Sequence, residues 1–292
     1  MSLTYEVLNE KRVRVIVDTD TACEADDPFA IAYALMSPKL MVKAVVAEHF
    51  AEEGSMQASY EAILKLTNAM RREDVCVLRG EAWPLDDTRD VSEGVQCIID
   101  EARRADEHPL YVLCLGALSN MARALKEAPD IAEKLTVVMI GGRDYFNPTQ
   151  DVREYNFGND IAAANAVLGS NVPVIQIPIC AFSAICVGLA ELQCRVAPCG
   201  ETGKYLYDQM VAFNVSKRGS WTSGESWSLG DSPAVGVLLC SNCGKRHLQQ
   251  PLRILDDTGY GEPLNAREVL VYDTVDPRYI MEDFYAKLSL LG

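Results

Sequence analysis

Short runs of largely apolar, β-branched residues recur along the chain at Val13–Val17, Met41–Val46, Val75–Leu78, Leu110–Leu115, Leu135–Ile140 and Val172–Ile177. Runs without polar alternation suit strands buried on both faces. Between them, Ala30–Met36, Met56–Met70, Val95–Arg104, Met121–Lys126 and Ile161–Leu168 carry helical spacing. This alternation predicts an α/β protein with an open, mostly parallel sheet flanked by helices. Beyond Pro178 the pattern loosens. Helices are expected at Ile185–Cys194, Lys204–Val215, Pro233–Cys240 and after Pro277, and strands near Leu252–Leu255 and Val269–Tyr272. The Gly/Ser/Trp-rich stretch 218–230 reads as a mobile loop, of the kind that often serves a site.

Composition narrows the picture. The 292 residues, 49% hydrophobic and 24% charged, can bury a core without disulfides, and one domain over 1–292 is expected. With 27 basic and 42 acidic residues the net charge is −15, which repels phosphate backbones and anionic lipid headgroups. Neither nucleic acid nor membrane is therefore an expected partner. The chain shows neither a long apolar span nor a secretory leader and reads as cytoplasmic. Its ten cysteines fit that compartment as reduced thiols, with Cys76, Cys97, Cys114, Cys180 and Cys186 expected in the core. Cys240 and Cys243 form a CxxC, a weak zinc signal without histidines at ligand spacing.

Candidate chemistry concentrates after the first strand, where Asp18, Asp20, Glu24, Asp26 and Asp27 fall within ten residues. In open α/β sheets ligands bind beyond the carboxyl ends of the strands. Carboxylates crowded there repel one another unless a cation neutralises them, and an all-oxygen donor set suits Ca²⁺ or Mg²⁺ and does not suit zinc. The plainer alternative is that Asp26 and Asp27 cap the helix entered at Pro28.

The segment Asp18-Thr19-Asp20-Thr21 resembles the first motif of haloacid-dehalogenase-type phosphatases, but no late strand ends in the paired acids that family needs. A second resemblance extends over nearly the whole chain. Asp18-x-Asp20 with Asp26-Asp27, Val77-Leu78-Arg79-Gly80 with Pro84-Leu85, Leu115-Gly116-Ala117-Leu118-Ser119-Asn120, Met139-Ile140-Gly141-Gly142, Glu154-Tyr155-Asn156-Phe157 and Asp231-Ser232-Pro233-Ala234-Val235 stand in the order of nucleoside-hydrolase motifs. The sequence is thus similar to the inosine–uridine nucleoside hydrolase superfamily and looks like one of its divergent bacterial branches.

That resemblance implies hydrolysis of the N-glycosidic bond of a nucleoside or related N-riboside, in purine or pyrimidine salvage, by a homodimer or homotetramer. It implies a Ca²⁺ ion whose water is activated by Asp20, with Asp20, Asp27, Asp231 and the Ser119 carbonyl as metal ligands and Asp20 and Asp231 catalytic. Asp26 would meet the ribose 2′-hydroxyl, and Glu154 and Asn156 the 5′ and 3′ side of the sugar. Three carboxylates around a divalent ion leave a charge of about −1, which favours an oxocarbenium-like transition state.

Three departures qualify the match. Thr21–Ala25 makes the link between the acidic pairs two residues longer than usual, leaving Glu24 as an extra ligand or an exposed acid. Glu48 and His49 stand where the family has a ribose-binding Asn and are candidate substrate contacts. Gly230 replaces the histidine that protonates the leaving base in the inosine–uridine branch, so Trp221 and Trp227 are expected to supply aromatic faces instead. A metal-dependent sugar-binding homologue without catalysis, and the phosphatase, are the alternative functions.

Overall fold

The computed structural model describes residues 3–86, 89–147 and 153–291. In chain order the strands are β1 (Val13–Thr19), β2 (Leu40–Ala47), β3 (Val77–Arg79), β4 (Leu110–Cys114), β5 (Leu135–Ile140), β6 (Val174–Ile177), β7 (Cys186–Gly188), β8 (Ser226–Ser228), β9 (Arg246–Gln249), β10 (Leu252–Ile254), β11 (Tyr260–Pro263) and β12 (Val269–Tyr272). The helices are α1 (Asp27–Leu35), α2 (Ser55–Ala69), α3 (Glu93–Arg103), α4 (Ser119–Glu127), α5 (Tyr155–Asn159), α6 (Ile161–Gly169), α7 (Ile179–Phe182), α8 (Leu189–Arg195), α9 (Gly200–Asn214), α10 (Ser232–Leu239) and α11 (Pro277–Leu291).

Eight strands form one sheet in the order β3-β2-β1-β4-β5-β6-β12-β9, and every pairing is parallel except that of β9 with β12. This confirms the expected α/β architecture. All seven residues of β1 are buried, and successive side chains feed two different cores. Val15 and Val17 join one apolar cluster with Leu113, Val138 and Phe29, while Ile16 joins the other with Val112, Val137 and Val95. A strand covered on both faces can be apolar at every position, which is why the runs were legible.

Strand order reverses between β1 and β4, the neighbours at the centre of the sheet. Such a switch point opens a crevice at the carboxyl ends, because the connections leave β1 and β4 in opposite directions. Both helices that start beside the crevice are apolar nearly all round: α1 reads Asp-Pro-Phe-Ala-Ile-Ala-Tyr-Ala-Leu and α10 Ser-Pro-Ala-Val-Gly-Val-Leu-Leu. Helices of that pattern are buried, and these pack on each other with their first residues side by side.

Several expectations are corrected. Residues 186–188 are not the start of a helix but the strand β7, paired antiparallel with β8, and the helix begins only at Leu189. The stretch 218–230 is not a plain loop: it holds a 3₁₀ turn at Arg218–Trp221 and then β8. Leu252–Ile254 forms a separate two-stranded hairpin with β11, outside the central sheet. Of the five cysteines expected in the core only Cys114 is buried; Cys76 and Cys186 are exposed and Cys97 and Cys180 half-buried. All ten cysteines are free thiols. Among the described residues, no helix is long and apolar enough to cross a membrane.

Candidate active site

A cavity of about 240 Å³ opens at the switch point. Its floor is made by residues at or just past the ends of four adjacent strands: Asp20 after β1, Leu115 after β4, Ile140 at the end of β5 and Ile179 after β6. At one side Asp26, Asp27 and Asp231 converge, each offering a carboxylate oxygen within 4.8 Å of the others. Asp26 and Asp27 come from the entry to α1, and Asp231 immediately precedes α10. Packing of these two helices joins residues about 200 positions apart in sequence. Neither Asp26 nor Asp231 uses its side chain to cap its helix, so the plain capping reading fails. The positive ends of both helix dipoles nonetheless face the cluster and offset part of its repulsion.

All three carboxylates are buried, at 8%, 2% and 5% exposure. Burial first, and then the neighbouring carboxylates, push Asp26 and Asp231 well above the usual carboxylate range; Asp20 is raised by burial and then by Asp27 and Glu24. Burial also raises Asp27, opposed by hydrogen bonds from Thr19 and from its own backbone. The Thr19 hydroxyl donates to Asp27 Oδ1 at 2.5 Å. Glu24 lines the cavity with its carboxyl pushed up to about 7, by burial and then by Asp27. An oxygen-only cluster this buried and this short of counter-charge fits a hard divalent cation.

Asp20 is 3% exposed and stands beside Asp27, outside the tight trio. The loop after β4 passes so close that a Cβ on Gly116 would lie 2.5 Å from Asp20 Oδ1, so only glycine fits there. Ser119 does not line the cavity: its hydroxyl donates to Asp160 Oδ2 at 2.6 Å and meets His49 Nε2 at 2.7 Å. Of the expected ligands, Asp27 and Asp231 belong to the trio and Asp20 stands beside it.

Across the cavity, Glu154 and Asn156 bracket the start of α5. Glu154 accepts from Asn156 N at 3.1 Å and Phe157 N at 2.9 Å, an N-cap that fixes this five-residue helix. Asn156 Nδ2 donates to the Leu115 and Ile140 carbonyls, tying α5 to the ends of β4 and β5. Both residues line the cavity.

Other expected contacts lie elsewhere. Glu48 and His49 are fully buried and do not line the cavity. Glu48 Oε1 accepts from Asn120 N, and Asn120 Nδ2 donates to Asp18 Oδ1 at 2.7 Å. The interior thus holds a second acid pair, Asp18 and Glu48, whose carboxyls burial pushes above the usual range. Asp18 cannot be an attacking nucleophile from there, which removes the phosphatase reading. His49 Nδ1 accepts from Ala51 N, and burial lowers its pKa to about 4. Trp227 is 3% exposed and packs edge-on against Phe213 inside the core; only Trp221, 61% exposed, reaches the cavity.

Sequence reasoning missed Tyr155, Phe182, Cys23 and Arg153, all of which line the cavity. Tyr155 sat inside a quoted motif, and Phe182 follows the end of β6, where the strand-end rule would have pointed. Phe182 also explains Gly230. A Cβ on Gly230 would come within 3.1 Å of the Phe182 ring and 3.4 Å of Asp26 Oδ2.

Comparison with known proteins gives the family and the fold. The model of the inosine-uridine preferring nucleoside hydrolase family matches residues 15–262. The chain belongs to that family. It is 24% identical over 186 residues to the pyrimidine-specific ribonucleoside hydrolase RihA of Escherichia coli, a match covering 56% of this chain and 58% of that protein. The chain thus spans about three-fifths of the length of the curated relatives it matches. A plant nucleoside hydrolase, PpNRh1, superposes with a TM-score of 0.77 at 19% identity, covering 95% of this chain and 99% of that one. A purine-preferring ribonucleoside hydrolase from Gardnerella vaginalis gives 0.74 at 20% identity, over 95% and 98%. At these identities the likeness shows the nucleoside-hydrolase fold.

Proposed function

We propose that the protein hydrolyses the N-glycosidic bond of a nucleoside or related N-riboside to the free base and ribose. The observation that carries this reading is the meeting of Asp26, Asp27 and Asp231 beside Asp20, across one cavity from Glu154 and Asn156. A Ca²⁺ ion held by Asp27 and Asp231, with Asp26 or Asp20 beside them, would supply the charge that chelates sugar hydroxyls and sharpens an attacking water. Asp20 takes the proton of that water. Glu154 and Asn156 hold the sugar from the opposite wall, and Asp26 accepts from its 2′-hydroxyl where it is not bound to the ion. As the bond breaks the sugar becomes cationic, and an anionic, buried cavity favours that state over the neutral ground state.

A second reading, a riboside-binding protein without turnover, is favoured by one observation: none of the three histidines lines the cavity. Incubation of the purified protein with a ribonucleoside panel and Ca²⁺, following reducing sugar, tests both. Release of ribose supports hydrolysis; calorimetric binding of ribosides without release supports the binder.

A further inference from the structure

The cavity carries more negative charge than the proposed reaction needs. Six carboxylates line it, those of Asp20, Glu24, Asp26, Asp27, Glu154 and Asp231, against one guanidinium, Arg153. That guanidinium is already held by the carbonyls of Asp256 and Gly158. With a divalent ion in place and every acid ionised, the cavity still has a formal charge of −3. A neutral purine or pyrimidine gains little from such a field.

Aromatic residues share the same walls: Tyr155, Phe182 and Trp221. Aromatic faces beside carboxylates form the surroundings that hold an organic cation, through ring quadrupoles and charge together.

The histidines bear on the same question. His49 is buried behind the wall on Ser119, His108 lies before the amino end of β4 and so at the opposite edge of the sheet, and His247 pairs with Asp273 on the edge strand β9. Phe182 takes the room beside Gly230. None of the three histidines therefore lines the cavity, where one could protonate a departing base.

We propose that the preferred substrate is an N-riboside whose glycosidic ring nitrogen belongs to a cationic heterocycle, such as an N-ribosylpyridinium or an N-alkylated purine riboside. This inference rests on the N-ribohydrolase reading and deepens it. Its chemistry balances without an acid. Water oxygen bonds to C1′, the C1′–N pair returns to the heterocycle and cancels its positive charge, and the water proton passes to Asp20 and then to solvent. A neutral nucleoside would instead have to release an anionic base or find a proton for it. Glu24, in the longer link between the acidic pairs, is the recognition residue that the field argument singles out, since the proposed sugar and metal contacts do not use it.

The test is a comparison of kcat/KM, each divided by the uncatalysed rate of the same compound. The purified full chain with Ca²⁺ is given N-ribosyl-3-carbamoylpyridinium and 7-methylguanosine, against guanosine and uridine. We expect the cationic ribosides to be favoured by at least about tenfold, the size of one desolvated cation–π or ion-pair contact. Glu24→Gln should lower that ratio by about as much. Equal or better turnover of the neutral ribosides would overturn the cation preference and leave the hydrolase reading standing. A Glu24→Gln variant whose rate falls only on neutral ribosides would make Glu24 a proton donor and overturn it too. Absence of turnover with all four compounds would overturn both readings together.

Discussion

Single residues divide into those that face the cavity and those that support it, and the two groups should fail differently. Replacing Asp20 by Asn keeps the shape but removes the proposed base, so ribose release should fall by about 10²–10⁴-fold with an unchanged far-ultraviolet dichroism spectrum. The two tryptophans of the 218–230 stretch make a matched pair. Trp227→Ala empties a buried site against Phe213 and should lower unfolding free energy in urea by about 3–5 kcal/mol. Trp221→Ala, at an exposed position, should leave stability within about 0.5 kcal/mol and raise KM instead. The acids of the site were legible because charge crowding at a strand end is visible in one dimension. The direction of a side chain is not. Glu48 and His49 follow β2 as Asp20 follows β1, yet they turn inward to Asn120 and Ser119, and only neighbouring strands decide that.

Elements bring distant residues together here, and the short ones were the hardest to read. Strands β1 to β6 announced themselves as apolar runs, but β7 and β8 are three residues each, too short for any period, and Cys186–Gly188 sits at the head of a helical pattern. Edge strand β9 is polar at three of its four residues and none of the four is buried, so no apolar run marks it. Helix α5 has only five residues and depends on its cap. Glu154→Ala should cost about 1 kcal/mol in thermal or chemical unfolding and weaken substrate binding, whereas Glu154→Gln, which still accepts a hydrogen bond, should lose less stability. Equal loss in both variants would mean that charge, and not the cap, holds α5 in place.

At the scale of the molecule, the fold buries acids and depends on protons or a cation to do so. Burial pushes the Asp18 carboxyl up to about 7, against 3.8 ordinarily, and raises Glu48, Asp20, Asp26 and Asp231 in the same direction. An acid whose pKa rises on folding binds more protons folded than unfolded. Its contribution is whole below the unfolded value near 3.8 and is lost as pH climbs through the folded one. Calorimetric scans in chelator should therefore show a lower melting temperature at pH 8 than at pH 5. Excess Ca²⁺ should narrow that gap, because the ion replaces the protons on the trio. A melting temperature that rises between those two pH values in chelator would contradict the buried-acid account. The most direct measurement is reducing-sugar release from ribonucleosides and cationic ribosides by the folded protein, with Ca²⁺ and then with excess chelator. The account predicts turnover that chelation abolishes and Ca²⁺ restores; no ribose from any riboside in the presence of Ca²⁺, or turnover indifferent to chelation, would contradict it.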